Sequence, residues 1–258
     1  MVVYAGQGDP RKTLALLWRA SAAGATRTAP GPKPGLTVDA IVDAAIAVAD
    51  AGTMDGLSLR AVGERLGRTA MALYTYVPTK RELIDLMYDQ AHAEMPTDLD
   101  LSPGWRPAAE SWAERLQDLY LRHPWLLQVS HARPVLGPYE QGVLESLLRV
   151  LDATGLSPAA VRPVVSSLFG LVRGAARSLA EARAAGGTTG TTDQEWWTVR
   201  SRLMPEIVPD FGERFPLSAR LSGQSTSSDW EGEAREAFAG GLGILLDGVA
   251  LKAATAAD

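Results

Sequence analysis

Sixty residues, Leu36 to Met95, carry start and stop signals for four short helices, and no other stretch limits the fold so tightly. Thr37 caps the first, in which Ile41, Ala44, Ala45, Val48 and Ala49 recur at the spacing of one buried stripe before Gly52 stops it. Ser58 caps a second, Ser58–Leu66, with Leu59, Val62 and Leu66 on its apolar side. Gly67 suits the left-handed conformation that ends a helix, and Thr69 can cap the next, Thr69–Tyr76. Leu66-Gly67-Arg68 therefore reads as the compact turn that sets one helix across another. After Val77-Pro78, Thr79-Lys80-Arg81-Glu82 reads as a capping box that opens a fourth helix, with Leu83, Leu86, Met87 and Gln90 along one side.

The run Leu57-Ser58-x-Arg60-x-Val62-x-x-x-Leu66-Gly67, then Ala72-Leu73-Tyr74-x-Tyr76-Val77-Pro78-x-Lys80-x-Glu82-Leu83, resembles the DNA-binding domain of the TetR family of bacterial repressors. The resemblance implies a homodimer on a near-palindromic operator, released when a small molecule binds the helical domain behind the head. It puts Arg60 at a contact position early in the second helix, and Tyr74, Tyr76 and Lys80 at phosphate contacts. Where the family often carries another aromatic or a basic residue, this chain has Thr75.

The helix after Gly67 is the candidate for the major groove. Leu73 belongs to its core side, which leaves Thr69, Ala70, Met71 and Ala72 facing outward beside Arg68. These groups are small or apolar; they reach thymine methyls but offer few hydrogen bonds to base edges. Direct readout is expected to be modest, with shape and backbone contacts carrying more. The competing reading of Tyr74 and Tyr76 is that their rings pack the joint between the third and fourth helices; both roles are compatible for a ring with a polar tip. For Arg60, Arg68, Lys80 and Arg81 it is a solvated basic face.

The net charge is −5, unusual for a nucleic-acid binder, but its distribution matters more than its sum. Ser58–Arg81 holds Arg60, Arg65, Arg68, Lys80 and Arg81 against Glu64 alone, and the residues up to Leu36 hold five basic groups against Asp9. Cysteine is absent, which removes disulfides and thiolate chemistry. No metal or other cofactor is expected: His123 and His131 lack a third placed ligand. The chain has no HExxH, GxSxG or P-loop, and Gly6-Gln7-Gly8 is an incomplete dinucleotide motif, so an enzyme is not expected. No run approaches eighteen apolar residues and no cleavable leader pattern opens the chain, so the expectation is a soluble, cytoplasmic protein that does not engage a membrane.

The whole reads as all-α: an arm and linker over 1–36, the helix-turn-helix head over 37–95, a loop, and a helical ligand-binding and dimerisation part over 105–258. Asp9–Ala25 has helical spacing, while Thr26–Gly35 is too rich in proline and glycine. The arm is either a disordered leader or a basic arm along the DNA. Behind the loop, helices are expected over Trp105–His123, Tyr139–Ala153 and Pro158 to about Ala185, then a flexible link Gly186–Thr191. A helix from the capping box at Thr192, fading by Pro205, precedes a mobile loop Phe211–Ser228 and a last helix from near Asp229 to Val249. The resemblance pairs the helix ending near Ala185 and the last helix with their copies in a four-helix bundle, and Gly240, Gly241 and Gly243 fit close contact there. Trp112, Tyr120, Trp125, His131, Phe169, Arg173, Trp196 and Trp197 are the candidate lining for a small apolar effector, with ordinary core filling as the alternative for any single ring. A helical protein-interaction module without DNA binding is the other function class that the composition admits.

Overall fold

The structure, a computed structural model, describes residues 3–19, 35–52, 54–222 and 230–257. These residues are helical almost throughout, as the capping signals require. One short parallel pair, β1 (Val3–Tyr4) beside β2 (Val129–Ser130), corrects the expectation of no strand; two residues a side are too few to leave a period-2 pattern.

The chain forms two compact units, Met1–Val165 and Ser166–Asp258. The first holds α1 (Pro10–Leu17), α2 (Val38–Ala51), α3 (Leu59–Leu66), α4 (Ala70–Tyr74), α5 (Lys80–His92) and α6 (Trp105–Arg122). A 3₁₀ turn, Pro124–Gln128, and α7 (Pro138–Asp152) follow, and α8 (Pro158–Thr189) begins in this unit and ends in the next. The second unit adds α9 (Asp193–Ile207), α10 (Phe211–Arg214), α11 (Pro216–Ser222) and α12 (Trp230–Ala257).

In the first unit the core runs through Ile41, Val42 and Ala45 of α2, Val62 of α3, Leu73 of α4 and Leu83, Leu86 and Met87 of α5. The leader is not disordered over its described part. Residues 3–19 fold onto α5, with Ala5 and Leu17 buried, because backbone amides there find carboxylate acceptors on that helix. The expected helix from Asp9 ends at Leu17, where the Trp18 backbone caps it and its indole donates to the Leu136 carbonyl (2.9 Å). The expected extension to Ala25, and the tether Thr26–Gly35 except its last residue, lie outside the described residues.

Helix α5 differs from the one-sided stripe read in the sequence: every residue from Glu82 to Asp89 is buried. The cause is the two segments laid over it, residues 3–17 on one flank and the start of α7 on another. Its cap also departs from a capping box. Thr79 accepts from the Arg81 N–H (3.0 Å) and its hydroxyl donates to Glu82, but the Glu82 carboxylate is given over to the Asp9 N–H (3.2 Å) of the overlaid segment.

In the second unit the flexible link is helical to Thr189, since a helix already propagating adds residues cheaply and the Thr188 and Thr189 hydroxyls bond back to the Ala184 and Ala185 carbonyls. The reciprocal capping box at Thr192 and Glu195 is present. The expected loop from Phe211 contains α10 and α11 as far as Ser222; Pro216 sits in a first helical turn, where its missing N–H costs nothing. Residues 223–229 lie outside the description. Helices α8 and α12 run antiparallel in this unit, with Arg183 paired to Glu231 (2.5 Å) at one end and Gly241 against Leu171 further along. Leu168, Val172, Ala176 and Leu179 form one buried row and Phe238, Leu242, Leu246 and Val249 the other, each at the spacing of a single helix face.

Candidate nucleic-acid interface

The turn between α3 and α4 is built from local chemistry. The Ser58 hydroxyl accepts from the Ala61 N–H (3.1 Å) and starts α3; Gly67 ends it at φ 63, ψ 34, the left-handed region that a Cβ disfavours. The Arg68 N–H returns to the Gly63 carbonyl (2.9 Å), and Thr69 caps α4 through the Ala72 N–H (3.3 Å). Gly63 also lets the two helices meet: a Cβ there would stand 2.6 Å from the Arg68 carbonyl oxygen. Sequence reading passed over this glycine, and its only trace was a residue of low helix propensity in mid-helix.

With Leu73 fully buried as the anchor, α4 presents a surface of small and apolar groups. Thr69 is exposed, Ala70 and Ala72 are half-buried, and Met71 is 74% exposed, unusual for a large apolar side chain. Tyr74 is exposed, and Tyr76 is half-buried in the segment that leads through the buried Val77 to α5. Arg60, Arg68 and Lys80 are all exposed. Arg60 pairs with Glu64 one turn on (2.9 Å), an exposed contact worth only about 0–1 kcal/mol and easily exchanged for a phosphate. Lys80 donates to the Met54 carbonyl (3.3 Å), which holds its ammonium at the mouth of α5 with two further protons to give.

Residues 99–253 match the family model described as the tetracyclin repressor-like C-terminal domain. The chain belongs to the TetR family of transcriptional regulators. A relative, the HTH-type transcriptional repressor DrrR1 of Streptomyces coeruleorubidus, is 40% identical over 246 residues, spanning 95% of this chain and 87% of that protein. In fold, the chain is similar to ActR of Streptomyces coelicolor solved in complex with actinorhodin, with a TM-score of 0.68 at 24% identity, covering 86% of this chain and 96% of that one. A second TetR regulator from Streptomyces coelicolor gives a TM-score of 0.66 at 25% identity, over 84% of this chain and 98% of the other.

Within this TetR-family chain the head is joined to the helices behind it by a polar hub. Asp50, on the exposed side of α2, accepts from His123 Nδ1 and from the Trp125 indole, each at 2.8 Å. His123 Nε2 lies 3.2 Å from Glu94, which also pairs with Arg122. Burial acts to raise the Glu94 carboxyl, but the Arg122 and His123 contacts outweigh it and hold it below its usual range. Asp50, Glu94 and His123 border a cleft of about 350 Å³ with Asp43 and Gln90.

The eight candidate effector residues divide between the units. Trp112, Tyr120 and Trp125 are buried in the first; the Trp112 indole donates to the Val143 carbonyl (3.3 Å) and the Ser146 hydroxyl (3.2 Å). His131 is exposed in the loop before α7. In the second unit Phe169 and Arg173 are half-buried on α8. Trp196 and Trp197, edge to face at 4.9 Å, line an open groove of about 500 Å³ with Trp230 and the end of α8.

Proposed function

We propose that this TetR-family chain represses transcription as a homodimer on a near-palindromic operator and leaves it when a small apolar effector binds the helical part behind the head. The observation that carries the reading is the α3–α4 turn. Leu73 is buried while Thr69 and Met71 are exposed and Ala70 and Ala72 half-buried, and this supports reading Arg60, Arg68, Lys80, Tyr74 and Tyr76 as the phosphate contacts beside them. Such a face positions itself on the backbone and reads sequence through apolar contact and groove shape. Two heads then engage successive major grooves about 34–36 Å apart, and an effector that prefers another separation shifts the population off the DNA.

The dimer reading draws on α12. That helix is long and apolar enough by length and composition to cross a bilayer, with mean hydropathy 1.5 over its best window, yet only 22% of that window is buried. Glu236 and Asp247 within the helix suit water and protein better than lipid. Ala237, Gly240, Ile244, Gly248 and Leu251 form an uncovered stripe of small and large apolar groups, with Ile244 75% and Leu251 68% exposed. A Cβ at Gly240, Gly243 or Gly248 would meet nothing within 4 Å, so packing inside one chain does not require these glycines, whereas close approach of a second copy does. With this reading the functional division is a head (37–95) and a ligand-binding and dimerisation part (105–258).

DrrR1 is named a repressor, and ActR was solved with a small molecule; both support a ligand-released regulator with no catalytic role, acting in the cytoplasm beside the chromosome. For the effector, the accessible aromatic candidates among the eight are Trp196 and Trp197 on their groove, while Trp112, Tyr120 and Trp125 fill the core of the first unit. The test is fluorescence anisotropy with a duplex recovered by genomic footprinting. Expected is saturable binding by two chains per site, weakened by added salt; binding no stronger than that of an acidic control protein at low salt overturns the proposal.

A further inference from the structure

One face of α5 carries Glu82, Asp85 and Asp89, spaced so that all three carboxylates line up, and main-chain amides from two other segments grip that face. Gly6 N–H donates to Asp85 (2.9 Å) and Asp9 N–H to Glu82 (3.2 Å), while Tyr139 and Glu140 at the start of α7 donate to Asp89 (3.0 and 2.9 Å). Glycine lets the segments close in without pushing the facing carboxylates aside. A Cβ at Gly8 would sit 2.3 Å from Glu82, and one at Gly137 2.2 Å from Asp89.

The first of these segments reaches further. Val3 and Tyr4 pair with Val129 and Ser130, the Trp18 indole bonds the Leu136 carbonyl, Arg81 on α5 reaches the Gln7 carbonyl (3.4 Å), and Arg19 pairs with Asp39 on α2. The segment thus ties α2, α5, β2 and the approach to α7 together, and none of these ties uses a residue of the α3–α4 turn. We propose that Val3–Arg19 is a clasp that holds α5 against α7 and so keeps the head in its DNA-binding arrangement.

The clasp is made to be openable. Burial pushes Asp85 and Asp89 up to about 6 despite the amides that bond them; Glu82 adds to this at Asp85, and Arg19 eases it at Asp89. Asp85 Oδ2 is buried with no hydrogen-bond partner among the described residues. Two dehydrated carboxylates held chiefly by neutral amides make a grip that a modest competing interaction can release. With the clasp open, α5 and the head sample more orientations, and apparent affinity for DNA falls in proportion to the fraction still competent.

This inference rests on the DNA-binding reading for its second readout only. Two full-length variants break one bond from its two sides: Gly6→Val, which places a β-branched residue at φ +68 where no neighbour crowds it, and Asp85→Ala. Hydrogen exchange without DNA is expected to show the amides of Leu83–His92 exchanging at least tenfold faster in both. Anisotropy on the footprinted duplex is expected to show affinity three- to tenfold weaker, with the salt dependence of the unaltered chain. Faster exchange confined to residues 3–19, or an unchanged or tighter affinity, overturns the clasp. A flattened salt dependence overturns it too, since the segment would then be a phosphate contact. Were the unaltered chain to bind no duplex, the proposed function would fail while exchange in α5 still decided whether the clasp exists; circular dichroism matching the unaltered chain verifies that each variant is folded.

Discussion

Replacing Asp50 by alanine removes one oxygen that serves two buried donors. His123 Nδ1 and the Trp125 indole both reach Asp50 Oδ1 at 2.8 Å, and both rings are buried, so water entering from the adjoining cleft restores only part of what the carboxylate supplied. An orphaned buried donor costs about 1–3 kcal/mol. Asp50 is itself on the exposed side of α2 and gives back little by leaving, so the destabilisation is on the order of 2–4 kcal/mol. At roughly 2–4 °C per kcal/mol for a unit of this size, the melting temperature is expected to fall by about 4–16 °C at fixed protein concentration. Asp50→Asn keeps an oxygen with two lone pairs in place and is expected to destabilise less than half as much. The assay is thermal unfolding followed by tryptophan fluorescence, in which Trp125 reports on its own environment. A melting temperature for Asp50→Ala within about 2 °C of the unaltered chain, or equal shifts for the alanine and asparagine variants, would refute the view that this hub joins head and body.

Arg60→Ala and Lys80→Ala are each expected to weaken binding to all duplexes alike. Each is also expected to reduce the slope of log affinity against log salt by about 0.9 for every phosphate left without its cation, measured by anisotropy titrations at several salt concentrations. Unchanged slopes would place the backbone contacts elsewhere. Ile244→Glu combined with Leu251→Glu is expected to convert the dimer to monomer in sedimentation equilibrium at micromolar concentration, and a dimer that survives both charges would move the interface off α12. Asp85 and Asp89, at about 6 in the fold against an ordinary value of 3.8, bind more protons folded than unfolded between those pH values. Stability is therefore expected to decline as pH rises from about 4.5 to 6.5, by on the order of 2 kcal/mol per group, and then level off; a urea midpoint that climbs over that range contradicts their burial as charged groups.

Helix ends were legible because capping is local chemistry. Thr37, Ser58, Gly67, Thr69 and Thr192 all perform the parts that their neighbours within four residues implied. The clasp was not, because Gly6 finds Asp85 across 79 positions and nothing in either stretch announces the other. Carboxylates at 82, 85 and 89 acquire a role only once main-chain amides are laid over them. Pro216 and Gly186–Gly187 looked like breaks, yet the first lies in an opening turn and the second follows a long run of established helix. Of the candidate DNA contacts, Arg60, Tyr74, Tyr76 and Lys80 came from the motif that resembles the family, and the fold leaves Arg60, Tyr74 and Lys80 exposed and Tyr76 half-buried. The aromatic residues of the body carried no comparable signal, because an indole fills a core and walls a groove with equal ease.

The unbroken burial of Glu82–Asp89 has a consequence for exchanging heads among members of the family. A graft cut at residues 36 and 95 would carry three carboxylates away from the amides shaped to receive them, and would set foreign side chains against Gly8 and Gly137, where the native carboxylates approach closer than any Cβ would allow without their moving. The transplantable piece is discontinuous: 3–19 and 135–140 have to travel with 37–95 if a borrowed reading surface is to answer to its new body.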